Sequence, residues 1–229
     1  MSENAGSGAV RPRDAASLVL VRTDPATGNR SVLMGRRLKR ASFIPDMFVF
    51  PGGRVDAEDA RIMPARALSD ETLARLHLAG QASRARALAN AAIRETFEET
   101  GLMIGVAQTL STSGRHHGWQ EFAKSGHAPD HAPLRFLGRA ITPPESPKRF
   151  HARFFVADGA CASGALAGSG ELIELDWYPI EAALRLPIID VTEFMLRRVA
   201  DEIHAKHAPL FSYRRGKPLN RPAKRKSGP

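Results

Sequence analysis

Glu95, Glu98 and Glu99 lie in the run from Arg94 to Leu102, RETFEETGL. A helix would carry all three on one side, at roughly 340°, 280° and 20° on a wheel begun at Leu88. Ile93 and Phe97 fall near roughly 140° and 180°, so the opposite side is apolar and is expected to be buried under a sheet. Like charges at these spacings repel by roughly a few tenths of a kcal/mol per pair, and a cation among them removes that cost. With no thiolate or imidazole in the set, the fitting ion is Mg²⁺ or Mn²⁺. Such an ion can also neutralise a diphosphate, so the pattern points to metal-assisted chemistry at phosphorus. The alternative is a solvated helix face with an Arg94 to Glu98 ion pair. Gly101 supplies the stop, because glycine accepts the left-handed conformation at a helix C-terminus.

Arg94, Glu95, Glu98, Glu99, Gly101 and Leu102 match REUxEExGU, with U an aliphatic residue, and so the chain resembles the Nudix hydrolases in the second half of their signature. Thr96 stands where that family usually has an aliphatic residue. The first half of the signature is Gly, five residues, Glu, then seven residues before the Arg. A contiguous match from Gly80 puts Arg86 at the Glu position and fails on charge. A split match uses Gly52 and Glu58 within PGGRVDAE, followed by thirty-five residues instead of seven, so about twenty-eight are inserted, over 59–86. Phe50 to Gly53 also looks like the FPGG that precedes the family's helix. An interrupted box of this kind resembles the subgroup that includes the peroxisomal coenzyme A diphosphatase and its bacterial relatives. So does the Thr-Pro that precedes an Arg-Phe strand near Arg149. Ser42 and Asp46 depart from that subgroup's upstream motif, which has Arg and Gly there.

The resemblance implies an α/β fold, an α/β/α sandwich with a mixed β-sheet over residues 15–210 and a helical insertion within the box. It implies Mg²⁺ or Mn²⁺ held by Glu98 and Glu99, with Glu95 as a further ligand or the base, Arg94 orienting the acids, and Glu58 stabilising that network or binding the metal through water. Family members take another carboxylate from outside the box, and Glu171 or Glu174 could supply it. The implied reaction is hydrolysis of a nucleoside diphosphate linked to another group, with coenzyme A or an acyl-CoA as the first substrate. NADH, ADP-ribose and nucleotide sugars are alternatives; so are a noncatalytic nucleotide-binding regulatory module and an RNA-directed pyrophosphatase. A homodimer is left open.

The elements around the box follow from pattern. Ala15 to Arg22 is a Leu/Val-rich run expected as a buried strand, and Ser31 to Arg36 returns across a turn at Asp24, Pro25, Gly28 and Asn29. Met47 to Phe50 leads as a strand into Gly52 and Gly53, whose backbone can approach a ligand and offer N–H groups to phosphate. Ser69 is an N-cap for a helix to Ala79, which is either a lid or a surface helix, and the box helix runs over 82–100. Gly105 to Gly118 looks like loop, with His116 and His117 exposed. Leu134 to Ile141 and the alternating segment from Phe150 to Val156 look like strands. Arg36, Arg149 and Arg153 are placed to face a phosphate or to lean on a rim. Leu172 to Tyr178 is a further strand, Pro179 to Leu184 starts a helix, and Val191 to His204 is a last amphipathic helix.

Composition bounds the rest. One cysteine, Cys161, excludes an internal disulfide or a cysteine zinc site. Residues 1–14 lack the apolar centre of a secretory signal, no run is long enough to span a membrane, and the expected compartment is the cytoplasm. Of the net charge of +9, seven come from Arg214, Arg215, Lys217, Arg221, Lys224, Arg225 and Lys226. Residues 1–14 and 211–229 therefore read as flexible ends, the second a solubilising basic tail with a weak, salt-sensitive pull on polyanions as the alternative.

Overall fold

A continuous apolar run has no polar face to offer water, so its strand must be covered on both sides. The computed structural model, which describes residues 10–110, 115–201, 210–214 and 217–221, places that strand inside the sheet. In chain order the elements are β1 (Arg13–Thr23), β2 (Arg30–Arg37), β3 (Phe48–Val49), β4 (Gly52–Arg54), α1 (Asp70–Leu76), α2 (Ala82–Thr100), β5 (Gly105–Ala107), α3 (His117–Lys124), β6 (His127–Pro129), β7 (Arg135–Ile141), β8 (Phe150–Asp158), β9 (Leu172–Pro179), α4 (Ile180–Ala183), α5 (Asp190–Ala200), β10 (Leu210–Arg214) and β11 (Lys217–Arg221).

The main sheet runs β11-β10-β7-β8-β1-β2-β3, with β4 also on β1 and β9 also on β2. It is mixed: β1 runs parallel to β8 and β10 parallel to β7, while β1 pairs antiparallel with β2 and β4. Leu18 and Leu20 of β1 enter the core that holds Leu88, Ile93 and Trp119, and the alternate residues Val19 and Val21 enter a second core with Met195, Leu196 and Val199. Helices therefore cover both faces, which gives the expected α/β/α sandwich. Among the described residues no helix is long and apolar enough to cross a membrane.

Several boundaries differ from the expectation. β1 begins at Arg13, because Asp14 is held there by Arg84 and Arg153; residues 1–9 lie outside the described residues. Residues 210–214 and 217–221 are not a free tail: they form a hairpin whose β10 pairs with β7 at Arg139 and Ala140 and covers that part of its edge. The rest of the basic end, residues 215–216 and 222–229, lies outside the described residues. α1 is capped by Ser69 as expected but stops at Leu76, where His77 turns left-handed at φ 52°. α5 ends at Ala200, and 202–204 lie outside the described residues. The stretch expected as loop contains β5 and the first turn of α3, with 111–114 outside the described residues.

The inserted segment is strapped to α2 rather than hung over it. The Asn90 Nδ2 donates to Asp59 O at 2.7 Å and Ile62 O at 2.9 Å, and Arg86 donates twice to Ala60 O. Thr72 Oγ1 of α1 donates to Leu134 O at 3.1 Å, so α1 is docked near β7. The Asn90 side-chain oxygen is left facing His131 Nε2 at 2.6 Å. Burial pushes His131 down to about 4. An unfolded histidine titrates near about 6.5, so between the two values the unfolded chain binds a proton that the fold refuses, and stability falls as pH drops through that window. From pH 7 to pH 5 this group is expected to cost about 2 kcal/mol in urea unfolding. His151 is likewise pushed down to about 4, by burial and by Arg153, so the comparison is with His131→Gln. That variant should show a shallower acid loss; an equal loss would rule out the buried neutral imidazole.

Candidate functional site

α2 is the spine of the site, and its buried surface is wider than a single apolar stripe. Ala85, Leu88, Ala89, Ala92 and Ile93 are in the core, and so are the polar residues Thr96 and Glu99. Thr96, in the place expected for an aliphatic residue, satisfies its hydroxyl by donating to Ala92 O at 2.7 Å, and it packs with no exposure. Ala91 and Ala92 are likewise fully buried and serve the core. Phe97 packs edge-on against Phe122 of α3, not under the sheet, so the acidic edge lies in the seam between sheet and α3. Gly101 closes the helix at φ 72° as expected.

Arg94 organises the acids. Its Nε and Nη2 donate to the two carboxylate oxygens of Asp59 at 2.9 and 3.0 Å, and its Nη1 donates to Glu95 Oε1 and Glu98 Oε2, both at 2.9 Å. Nη2 also reaches Arg54 O at 3.0 Å. Burial disfavours the Arg94 charge, but Asp59, Glu95 and Glu98 outweigh it and raise its pKa. Asp59 is itself fully buried and also accepts from Trp119 Nε1 at 2.8 Å.

Glu58, expected to stabilise the network of Arg94 and the acids or to bind metal through water, bonds elsewhere in this structure. Glu58 accepts from the backbone N–H of Arg115 at 2.6 Å and of His116 at 3.0 Å, which depress its pKa, His116 first. It anchors the entry to α3 and does not touch Arg94. One residue later in the chain, Asp59 faces the opposite way and takes the guanidinium.

The glycine turn lies against the glutamates. β4 pairs Gly52 with Ser17 and Gly53 with Ala16. A Cβ on Gly53 would overlap the Glu95 carboxylate, and one on Gly52 would come within 2.6 Å of Ala16 O. Gly52, at φ 157° against backbone, therefore needs glycine, whereas a side chain at Gly53 would displace the Glu95 carboxylate. The Gly52 N–H donates to Glu99 Oε2 at 2.9 Å, so this amide serves a carboxylate where a phosphate oxygen was expected.

Glu95, Glu98 and Glu99 line one cavity of about 510 Å³, with His117, Gly118 and Glu121 of α3 and with Glu171. Burial pushes Glu99 up to about 8, the Gly52 N–H opposing it, and burial also raises Glu95 against the pull of Arg94. Among the described residues, Glu95 Oε2 and Glu99 Oε1 have no hydrogen-bond donor. Neither oxygen is among the buried atoms that lack a partner, so both are open to the cavity, where a hard divalent ion accepts oxygen donors of this kind. The donors thus fit Mg²⁺ or Mn²⁺ in kind. Among the described residues no three acidic, histidine or cysteine side chains are already gathered as a cluster that could hold a metal, and Glu95 and Glu98 are drawn to Arg94.

Other expected site residues are engaged elsewhere. Arg36 is paired with Asp46 at 2.8 Å and Glu174 at 2.9 Å, which removes both Arg36 and Glu174 from the glutamate cavity. Arg149 donates to Thr142 O and Val10 O and fastens the start of the chain. Arg153 is buried on β8 against Asp14, beside Arg84 of the first turn of α2. The glutamates lie about 16 to 22 Å further along that helix. Glu171 is the expected outside carboxylate that does line the cavity.

Residues beyond those expectations act on the glutamates from outside the cavity lining. Arg37, next to Arg36 on β2, favours the charged form of Glu99, and its Nε is buried without a partner. Alternation along β2 carries this signal, since Arg37 falls on the same face as Leu33 and Gly35. His116 Nδ1 lies 3.5 Å from Glu98 Oε1, half-buried instead of exposed, while His117 stays exposed at the cavity rim. α3 could have been found from Trp119 and Phe122, spaced to share one helix face.

With this geometry in view, comparison with known proteins is direct. The family described as NUDIX domain matches residues 11–199. A Caenorhabditis elegans protein named as a nudix hydrolase is 35% identical over 113 residues, which are 49% of this chain and 26% of that protein. The match thus spans about a quarter of that relative's length. The crystal structure of a NUDIX hydrolase from Alicyclobacillus acidocaldarius superposes with a TM-score of 0.62 at 29% identity, covering 88% of this chain and 95% of the other.

Proposed function

Because this chain belongs to the Nudix hydrolase family, we propose that it hydrolyses the diphosphate linkage of a nucleoside diphosphate joined to another group, using Mg²⁺ or Mn²⁺. The observation that carries this reading is the single cavity lined by Glu95, Glu98, Glu99 and Glu171, with the Gly52–Gly53 turn pressed against two of them. When bound, the divalent ion supplies charge neutralisation of the diphosphate. Glu98 and Glu99 offer it oxygen donors. Glu95, with Oε1 fixed by Arg94 and Oε2 free, is a further ligand or the base that takes the proton of the attacking water. Arg94 is a positioning residue that holds Glu95 and Glu98 together on one nitrogen despite their like charge.

The reading extends to the interrupted box. Counting from Gly53, five residues precede Asp59, so Asp59 takes the place of the signature's Glu and residues 60–93 replace the usual seven. The Asp59–Arg94 pair supports this frame. On that basis coenzyme A or an acyl-CoA is the first substrate. The test is a panel of coenzyme A, acyl-CoA, NADH, ADP-ribose, nucleotide sugars and 5′-diphosphorylated RNA, with Mg²⁺ or Mn²⁺ and product analysis. Cleavage of none would favour a nucleotide-binding regulatory module, and preference for RNA that falls when residues 214–229 are deleted would favour the RNA-directed alternative.

Gly118 provides a second check. A Cβ there would overlap the Glu98 carboxylate, and only that flexible side chain can give way. Gly118→Ala should leave α3 as stable or slightly more so, since alanine is the better helix former. Turnover should drop by about tenfold or more as Glu98 is displaced. Full activity would show that the Glu98 position is immaterial.

A further inference from the structure

We propose that Arg84, Arg139, His151 and Arg153 form a second anion site, at the start of α2, which takes a phosphate monoester or inorganic phosphate. Strand register assembles it. Arg139 of β7 is the cross-strand neighbour of Arg153 on β8, Ile141 is the neighbour of His151, and Asp14 on β1 stands beside His151. Arg153 and His151 alternate in phase with Phe155, and Asp14 in phase with Ala16 and Leu18, so all face the α2 side of the sheet. From above, Arg84 in the first turn of α2 reaches Asp14 with Nε and Nη2 at 2.7 and 2.9 Å.

The charges in this group do not balance. Against three guanidiniums stands a single carboxylate, Asp14, which accepts from Arg84 and Arg153 and not from Arg139. Arg153 is only 2% exposed, donates Nη1 to Asp14 Oδ1 at 2.7 Å and His151 O at 3.1 Å, and leaves Nε buried with no partner. His151 Nε2 is buried and unpartnered as well. Among the described residues Arg139 has no hydrogen bond or ion pair, and burial depresses its pKa with no acid to oppose this. His151 is held neutral by burial and then by Arg153 and Arg139.

Buried donors and charges in a fold are nearly always paired, so a deficit of negative charge this local calls for an anion. A tetrahedral oxyanion suits it, because guanidinium forks match phosphate oxygens in pairs. The N-terminal end of α2 adds its positive dipole end, and neither an acidic first-turn residue nor a side-chain cap opposes it. The site is separate from the glutamate cavity, which none of these residues lines.

The test uses the full chain in chelator, so that no divalent ion can hold phosphate at the glutamates. Inorganic phosphate should raise the melting temperature by several degrees over chloride at equal ionic strength, and calorimetry should give saturable binding. Arg139→Gln should weaken that binding by at least about tenfold. In chloride the same variant should melt no lower than the parent, because it loses an unpaired charge. Absence of phosphate binding by the parent, equal binding by the variant, or a variant less stable in chloride would each overturn the site. Arg84→Gln repeats the test from the helix side. A last arm rests on the proposed diphosphatase activity and separates the two sources. If Arg139→Gln raises KM only for a substrate carrying an extra phosphate monoester, the site takes that group. If it raises KM for neither kind of substrate, the occupant is free phosphate.

Discussion

Glu99→Gln is expected to lower turnover by about 10²- to 10⁴-fold while leaving the melting temperature unchanged or slightly higher, because loss of one metal-bearing oxygen removes several kcal/mol of charge stabilisation at phosphorus. The stability half follows from burial. Glu99 is only 3% exposed, and burial pushes its pKa up to about 8, so a neutral amide of the same shape suits the site at least as well as a carboxylate. The amide oxygen can still accept from the Gly52 N–H, which preserves the contact that fixes the turn. Steady-state rates on the best substrate of the panel, in Mg²⁺ and in Mn²⁺, decide the matter alongside thermal melts. Retained turnover with an intact fold would remove the glutamates from the chemistry.

Arg94→Met is expected to destabilise the protein by about 3 to 5 kcal/mol, because removing one partner of a buried pair leaves the other uncompensated. Asp59 has no exposure, and without the guanidinium its donors among the described residues are Trp119 Nε1 and the Asp56 N–H. Glu95 and Glu98 meanwhile lose the cation that screens them from each other. In a chain of this size that loss lowers the melting temperature by about 6 to 20 °C. Asp59→Asn with Arg94→Met should cost less than the sum of the two single changes, by at least about 1 kcal/mol. Strict additivity would show that the two side chains act independently, and Glu58→Gln, by the same measure, should not couple to Arg94 at all.

What was legible in the chain was local. The 3.6-residue period put Glu95, Glu98 and Glu99 on one edge of α2, Gly101 ended the helix, Ser69 capped α1, and the Asp24 to Asn29 turn joined β1 to β2. Each depends on a few neighbouring residues whose geometry leaves little choice. The partner of Arg94 was another matter. Glu58 and Asp59 are adjacent acids, and nothing within a few residues says which one turns inward. The path of β4 along β1 decides it, and a shift of one residue there exchanges the two roles. Likewise, Arg36, Arg149 and Arg153 could face a phosphate as free charges, and only the folded chain brought Asp46, Val10 O and Asp14 to meet them. The sequence by itself determined the acidic edge of the helix and the glycines that could approach it, because periodicity and backbone freedom are properties of short segments. Tertiary structure decided which acid holds the arginine, which helix walls the cavity and where the spare arginines gather, because contacts between distant segments follow from sheet register and burial.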